Sequence, residues 1–178
     1  MSEQQSPLTA EIIFRMFQED REQMKELREQ MKETDRRIGA LSSRVGEIIE
    51  NMIGSSIVEQ FQTLGIPIDR LCRNQTFGPL GTEDSGEIDV FLQNGDTVVL
   101  IEVKTKPIHE DVRDHIERIK KYRLYGNDNR RIIGAVAGGV VANDVANYAH
   151  KKGLYVIVQS GRAVEIIAQP EGFKAKEW

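Results

Sequence analysis

From Phe17 onward an apolar side chain returns every seven residues: Phe17, Met24, Met31, Ile38, Val45 and Met52. With these at the a positions of a heptad, Asp20, Leu27, Thr34, Leu41 and Ile48 fall at d. The residues between are mostly Glu, Gln, Lys and Arg, which lose little side-chain freedom in a helix. A repeat of this length with charged flanks predicts a long helix that buries its seam against another helix, a coiled coil. Asp20 and Thr34 loosen that seam. Thr9 stands where the helix could start, with Ser6-Pro7 ahead of it. The competing reading is an amphipathic helix folded back on its own domain; the heptads favour self-association.

Near Gly46 the pattern changes. Ile53, Ile57, Phe61 and Leu64 form a second apolar stripe within a narrow arc of the helical wheel. Glu50 lies in the middle of that arc and Glu47 near its edge, while Glu59 points the other way. Such a switch predicts a helix that leaves the coiled coil and docks on a globular body, stopping at Gly65-Ile66-Pro67.

The remainder alternates between strand and helix patterns. Strands are expected over 68–77, 87–93, 97–104, 131–137, 154–159 and 162–168, and helices over 109–125 and 141–152. Val112, Ile116, Ile119 and Tyr122 line the inner face of the first of these helices. Thr97-Val98-Val99-Leu100-Ile101 is apolar on both faces, which predicts a central strand. The fold class is therefore α/β, a mixed sheet flanked by helices. The expected domains are a coiled-coil helix over 1–45, an α/β domain over 46–170 and a flexible tail over 171–178.

A chain of 178 residues suits one such domain with an appendage. The longest uncharged apolar stretch, 132–142, holds three glycines and is far short of a membrane span, so no membrane partner is expected. No leader pattern opens the chain, and a single cysteine, Cys72, excludes an internal disulfide framework or a cysteine-rich zinc site. A reducing, cytoplasmic setting is the expectation. A net charge of −4 argues against indiscriminate coating of nucleic acid.

Asn94-Gly95 between the second and third strands is a strong hairpin signal. As a two-residue loop it pairs Gln93 with Asp96, Phe91 with Val98, Asp89 with Leu100 and Glu87 with Glu102. Alternation then puts Glu87, Asp89, Glu102 and Lys104 on one face. Opposed carboxylates destabilise a sheet. A divalent cation would offset that repulsion, and hard cations take oxygen ligands. The plain alternatives are a solvated strand end for Glu102 and Lys104, and a satisfied structural carboxylate for Glu50.

Gly86-Glu87-Ile88-Asp89, followed across a hairpin by Glu102-Val103-Lys104 and preceded by a helix bearing a Glu, resembles the PD-(D/E)XK nuclease superfamily. It is similar in particular to bacterial members with an N-terminal coiled coil. Ile88 stands where the family motif usually has Pro. The resemblance, covering roughly 46–168, implies a restriction-endonuclease-like αβββαβ core and metal-dependent hydrolysis of phosphodiester bonds, with Mg²⁺ or Mn²⁺ as cofactor. By it, Asp89, Glu102 and the Val103 carbonyl would bind the metal. Lys104 would orient or deprotonate the attacking water, Glu50 would complete the metal environment, and Glu87, with Glu47 as a substitute for Glu50, would support it. Histidine and cysteine mechanisms gain nothing, since His109, His115 and His150 lack ligand spacing.

A nuclease must also hold a phosphate backbone. Lys106, Arg118, Lys120, Lys121 and Arg123 supply a basic stretch with few aromatics, which suits double-stranded DNA. The alternative is a solvated helix face balanced by Glu110, Asp111, Asp114 and Glu117. A reading from another class stands beside the enzyme: a non-enzymatic module that binds nucleic acid or protein through an inactive nuclease-like fold and a coiled-coil stalk.

Overall fold

A computed structural model describes residues 9–161 and 163–178; Ser6-Pro7 and Arg162, which figure in the expectations above, lie outside them. Two compact units are resolved, Met1–Ser42 and Ser43–Trp178. The first is formed by most of helix α1 (Ala10–Met52), whose first turn closes onto the Thr9 carbonyl. Phe17, Met24, Leu27, Met31, Ile38 and Leu41 are 51–63% exposed, so this part of the heptad seam is open among the described residues, whereas Val45 and Met52, at the next two a positions, pack against the globular core.

The second unit begins with the last turns of α1 and continues into α2 (Ser55–Thr63), after a break at Ile53-Gly54 that the sequence pattern runs through. A residue distant in sequence caps the break. The last turn of α1 has no basic residue, and Arg73 supplies the missing cation, donating from Nε to the Glu50 carbonyl at 3.3 Å and from a terminal nitrogen to the Ile53 carbonyl at 2.8 Å. α2 ends at Gly65, whose φ of +79° only glycine adopts without strain, and the Ile66 N–H closes back on the Phe61 carbonyl.

Among the described residues six strands form one mixed sheet in sequential order: β1 (Arg70–Phe77), β2 (Gly86–Gln93), β3 (Thr97–Lys104), β4 (Arg131–Gly138), β5 (Tyr155–Ser160) and β6 (Ala163–Ile166). β3–β4 and β4–β5 are parallel and the other pairs antiparallel. The crossovers are α3 (His109–Tyr125) and α4 (Asn143–Lys151). β3 is buried along nearly its whole length, as its two-sided apolar sequence requires.

The sheet separates two apolar layers. Ile49, Ile53, Ile57 and Phe61 pack with Val99, Ile101 and Val103 on one face; α3 and α4 cover Val98, Leu100, Ile132 and Val156 on the other. Leu64, expected in the stripe, is 40% exposed. On α3 the buried positions are Val112, His115, Ile119 and Tyr122, so His115 takes the place assigned to Ile116. The C-terminal residues, expected to be loose from Glu171, are held instead. Lys176 N–H donates to the Gly153 carbonyl, Glu177 bridges to Ile133 and pairs with Arg131 at 3.0 Å, and Phe173 packs edge-on against Tyr155.

Candidate active site at the end of the β2–β3 hairpin

The hairpin that carries the expected site is closed one residue later than Asn94-Gly95. Its ladder pairs Gln93 with Val98, Leu92 with Val99, Phe91 with Leu100 and Val90 with Ile101. Asn94 N–H donates to the Thr97 carbonyl at 2.9 Å, leaving Gly95-Asp96 at the tip. The side chain of Asn94 makes the turn: its Oδ1 accepts the Asp96 and Thr97 N–H groups at 2.8 and 2.7 Å, and its Nδ2 donates to the Pro67 carbonyl. Arg130 holds the outside of the turn through the Asn94 carbonyl, at 2.9 Å, and Gln93. The observed register differs from the expected one by two residues, a slip that does not by itself change which face a side chain takes.

The ladder stops at Val90↔Ile101. One step further, where Asp89 and Glu102 come opposite, the Asp89 side chain replaces the main chain: its Oδ2 accepts the Val103 N–H at 2.7 Å. A kink accounts for this. Ile88 and Phe91, three residues apart, pack in the same α3-side layer, so β2 turns over between them. β1 does the same between Cys72 and Phe77, and there Asn74 adopts a left-handed φ of +51°. The β1–β2 pairs on either side, Arg73↔Val90 and Gln75↔Ile88, place Asn74 across from Asp89.

Glu102 alternates with Val98 and Leu100 and so turns toward α3. It is only 3% exposed. Lys104 Nζ lies 2.7 Å from its Oε1, and Arg118 of α3 donates to its Oε2. His115 completes this group, with Nδ1 3.9 Å from Glu102 Oε2 and Nε2 3.0 Å from the Leu100 carbonyl. Burial drives the His115 imidazole down to about 4, the Leu100 and Ala135 carbonyls opposing and the Lys104 charge adding to the effect. The ring is therefore neutral at pH 7, with its proton on the nitrogen facing Leu100, and the contact with Glu102 is not an ion pair.

Glu50 lies on the opposite layer, at the end of α1 beside the buried Ile49. Burial raises its carboxyl above the usual range, and the charges of Asp89, Glu47 and Glu87 raise it further against the pull of Arg73. Asp89 thus adjoins both groups. It is electrostatically coupled to Glu50 and hydrogen-bonded to the strand between Glu102 and Lys104. The expectation that Glu50 stands over one cluster with Glu102 and Lys104 is corrected: the sheet divides them, because Glu102 follows the facing of Leu100 while α1 covers the facing of Ile101.

Among the described residues no three His, Cys, Asp or Glu side chains gather closely enough to hold a metal ion by themselves. The donors expected from the sequence, Asp89, Glu102 and the Val103 carbonyl, are all oxygen. That set suits a hard cation, which takes one or two carboxylates and fills its remaining positions with water and phosphate.

The expected basic surface is largely committed elsewhere. Arg118 serves Glu102, and Arg123 donates to the Asp128, Arg130 and Trp178 main-chain oxygens. Lys120 pairs with Glu117 at 2.6 Å, Lys121 donates to the Glu83 carbonyl, and Lys106 is exposed. Arg118, expected on the nucleic-acid-binding surface, and His115, set aside for lack of ligand spacing, instead join Glu102. The available signal was their position three residues apart on the α3 face turned toward β3.

No family model matches the chain, and no curated protein or solved structure does either.

Proposed function

We propose that the protein is a metal-dependent nuclease of the restriction-endonuclease-like kind, acting on DNA and paired with a second copy through α1. The observation that carries the reading is the Asp89–Val103 hydrogen bond, which brings one strand's carboxylate against the segment that bears Glu102 and Lys104. The element order α, β1–β3, α3, β4 is in keeping with the αβββαβ core of that superfamily.

A bound Mg²⁺ or Mn²⁺ would acidify its water and polarise a phosphoryl oxygen. Asp89, Glu102 and the Val103 carbonyl would hold it. Lys104, whose side chain is 41% exposed, is the cation able to turn from Glu102 toward a phosphate. Arg118 stays with Glu102 and orients that carboxylate. Glu50, held high by burial and its acidic neighbours, is the group poised to take up or release a proton near Asp89. Incubating the protein with plasmid and Mg²⁺ or Mn²⁺ tests the proposal, with Lys104→Ala as the control.

One observation favours the second reading, a binding module without catalysis. Lys104 and Arg118 already neutralise both oxygens of Glu102, as in a structural ion-pair network. Calorimetric Mn²⁺ binding that depends on Asp89 separates the two, since a module of that kind has no use for a cation.

A further inference from the structure

We propose that two copies of the chain pair through α1 in antiparallel orientation, Met24 of one copy lying against Leu41 of the other. The inference rests on the reading of α1 as self-pairing and adds its direction and register. From Phe17 to Leu41 the six apolar residues of the seam are each more than half exposed among the described residues. An occupant must therefore offer a matching stripe, and the charges beside the seam say how a second copy would lie.

In the heptad frame the e positions hold Arg21, Arg28 and Asp35, and the g positions hold Gln23, Gln30, Arg37 and Arg44. Arg37 is engaged within its own helix, by Glu33 four residues back. Parallel, in-register pairing sets each g against the next e of the other copy. Arg28 then meets Gln23 and Asp35 meets Gln30, so no opposite charges are matched. The same arrangement puts Asp20 at d directly against Asp20 of the second copy.

Antiparallel pairing sets e against e and a against d. When the five a positions from Phe17 to Val45 are matched with the five d positions from Ile48 back to Asp20, Arg28 faces Asp35, and by symmetry Asp35 faces Arg28. Asp20 is set against Val45, which also packs on its own globular core, instead of against its own image. Ile38 meets Leu27. Met31 meets Thr34, whose hydroxyl is already satisfied by the Gln30 carbonyl at 2.9 Å and so leaves its methyl group for the seam. Sliding the helices by one heptad opposes Arg28 to Arg28 in one direction, with Arg21 then facing Asp35, and Asp35 to Asp35 in the other, so of the three registers only the unshifted one joins opposite charges without opposing like ones. Charge complementarity thus selects both direction and register.

Cysteine crosslinking of the full chain in a Cys72→Ser background tests this with a short bis-maleimide. The Met24→Cys, Leu41→Cys double variant should give a covalent dimer, and each single variant should give none, because like positions would lie about 25 Å apart. A charge series supplies the second reading. Arg28→Asp should weaken the dimer at least tenfold in sedimentation, and adding Asp35→Arg should restore it; in a parallel pair neither change alters an ion pair. A covalent dimer from Met24→Cys alone would overturn the direction while leaving self-pairing intact. A monomeric mass for the unmodified chain would overturn the self-pairing itself.

Discussion

Asp89 Oδ2 accepts the Val103 N–H at 2.7 Å, taking the place of a main-chain partner just where the β2–β3 ladder ends. A carboxylate in that position both closes the sheet and waits beside Glu102 and Lys104. The two duties can be separated by substitution. Asp89→Asn keeps an acceptor for Val103 and should cost little stability, whereas Asp89→Ala should cost about 1–3 kcal/mol. Both should abolish calorimetric Mn²⁺ binding. Denaturant melts and titrations of the two variants check it; Mn²⁺ affinity retained by Asp89→Ala would contradict the assignment.

Arg118 makes the next prediction. Without Arg118 the buried Glu102 carboxylate keeps only the half-exposed Lys104 as a charged partner, and weakening a buried ion-pair network is costly. Arg118→Met should therefore destabilise the fold by about 3 kcal/mol, and Glu102→Gln added to it should recover part of that loss. Lys104→Met, at the exposed end of the same cluster, should cost less than about 1 kcal/mol. Urea unfolding of the three variants distinguishes these outcomes.

His115 sets a pH dependence. Its folded-state value near 4 lies below the unfolded 6.5, so the unfolded chain binds the extra proton first. The contribution is fully present above pH 6.5 and is lost as pH falls toward 4, amounting to at most about 3 kcal/mol. His115→Gln, which keeps a donor for the Leu100 carbonyl, should flatten the stability profile across that window. Unfolding free energies between pH 7 and 4.5 measure it.

The seam of α1 is open to a direct test of assembly. Ile38→Asp together with Met31→Asp should weaken self-association roughly 100-fold, because two charges would enter an apolar interface. Val45 is a poorer target, since it also packs against the α2-side core and its loss would unsettle the globular unit. Light scattering that shows an unchanged mass would contradict the heptad reading.

Much of the fold was legible in periodicity. α3 begins and ends where its pattern does, at His109 and Tyr125, and β3 is the interior strand its two-sided apolar run predicts. The α1 break was hidden because its cause, Arg73, comes from a different element. The hairpin register escaped the dipeptide rule because Asn94 ends the ladder, pairing with Thr97, and its side chain caps the Gly95-Asp96 tip. The candidate site was legible as a set of residues but not as a geometry. Nothing in local alternation foretells that β1 and β2 turn over at Asn74 and Asp89. Likewise, beside Lys104 on its own strand, Glu102 takes a partner from α3, Arg118, which the helix pattern presents as a surface cation. The docking of the C-terminal residues was invisible for the same reason: its contacts, such as Lys176 with Gly153, are all distant in sequence.

Cleavage of supercoiled plasmid in Mg²⁺ or Mn²⁺ tests the central claim most directly. The proposed function predicts nicked or linear product from the unmodified protein, suppression by a chelator, and at least a hundredfold loss in Lys104→Ala, provided that the variant remains folded. Intact plasmid under all conditions, or equal cleavage by the unmodified protein and Lys104→Ala, would contradict it.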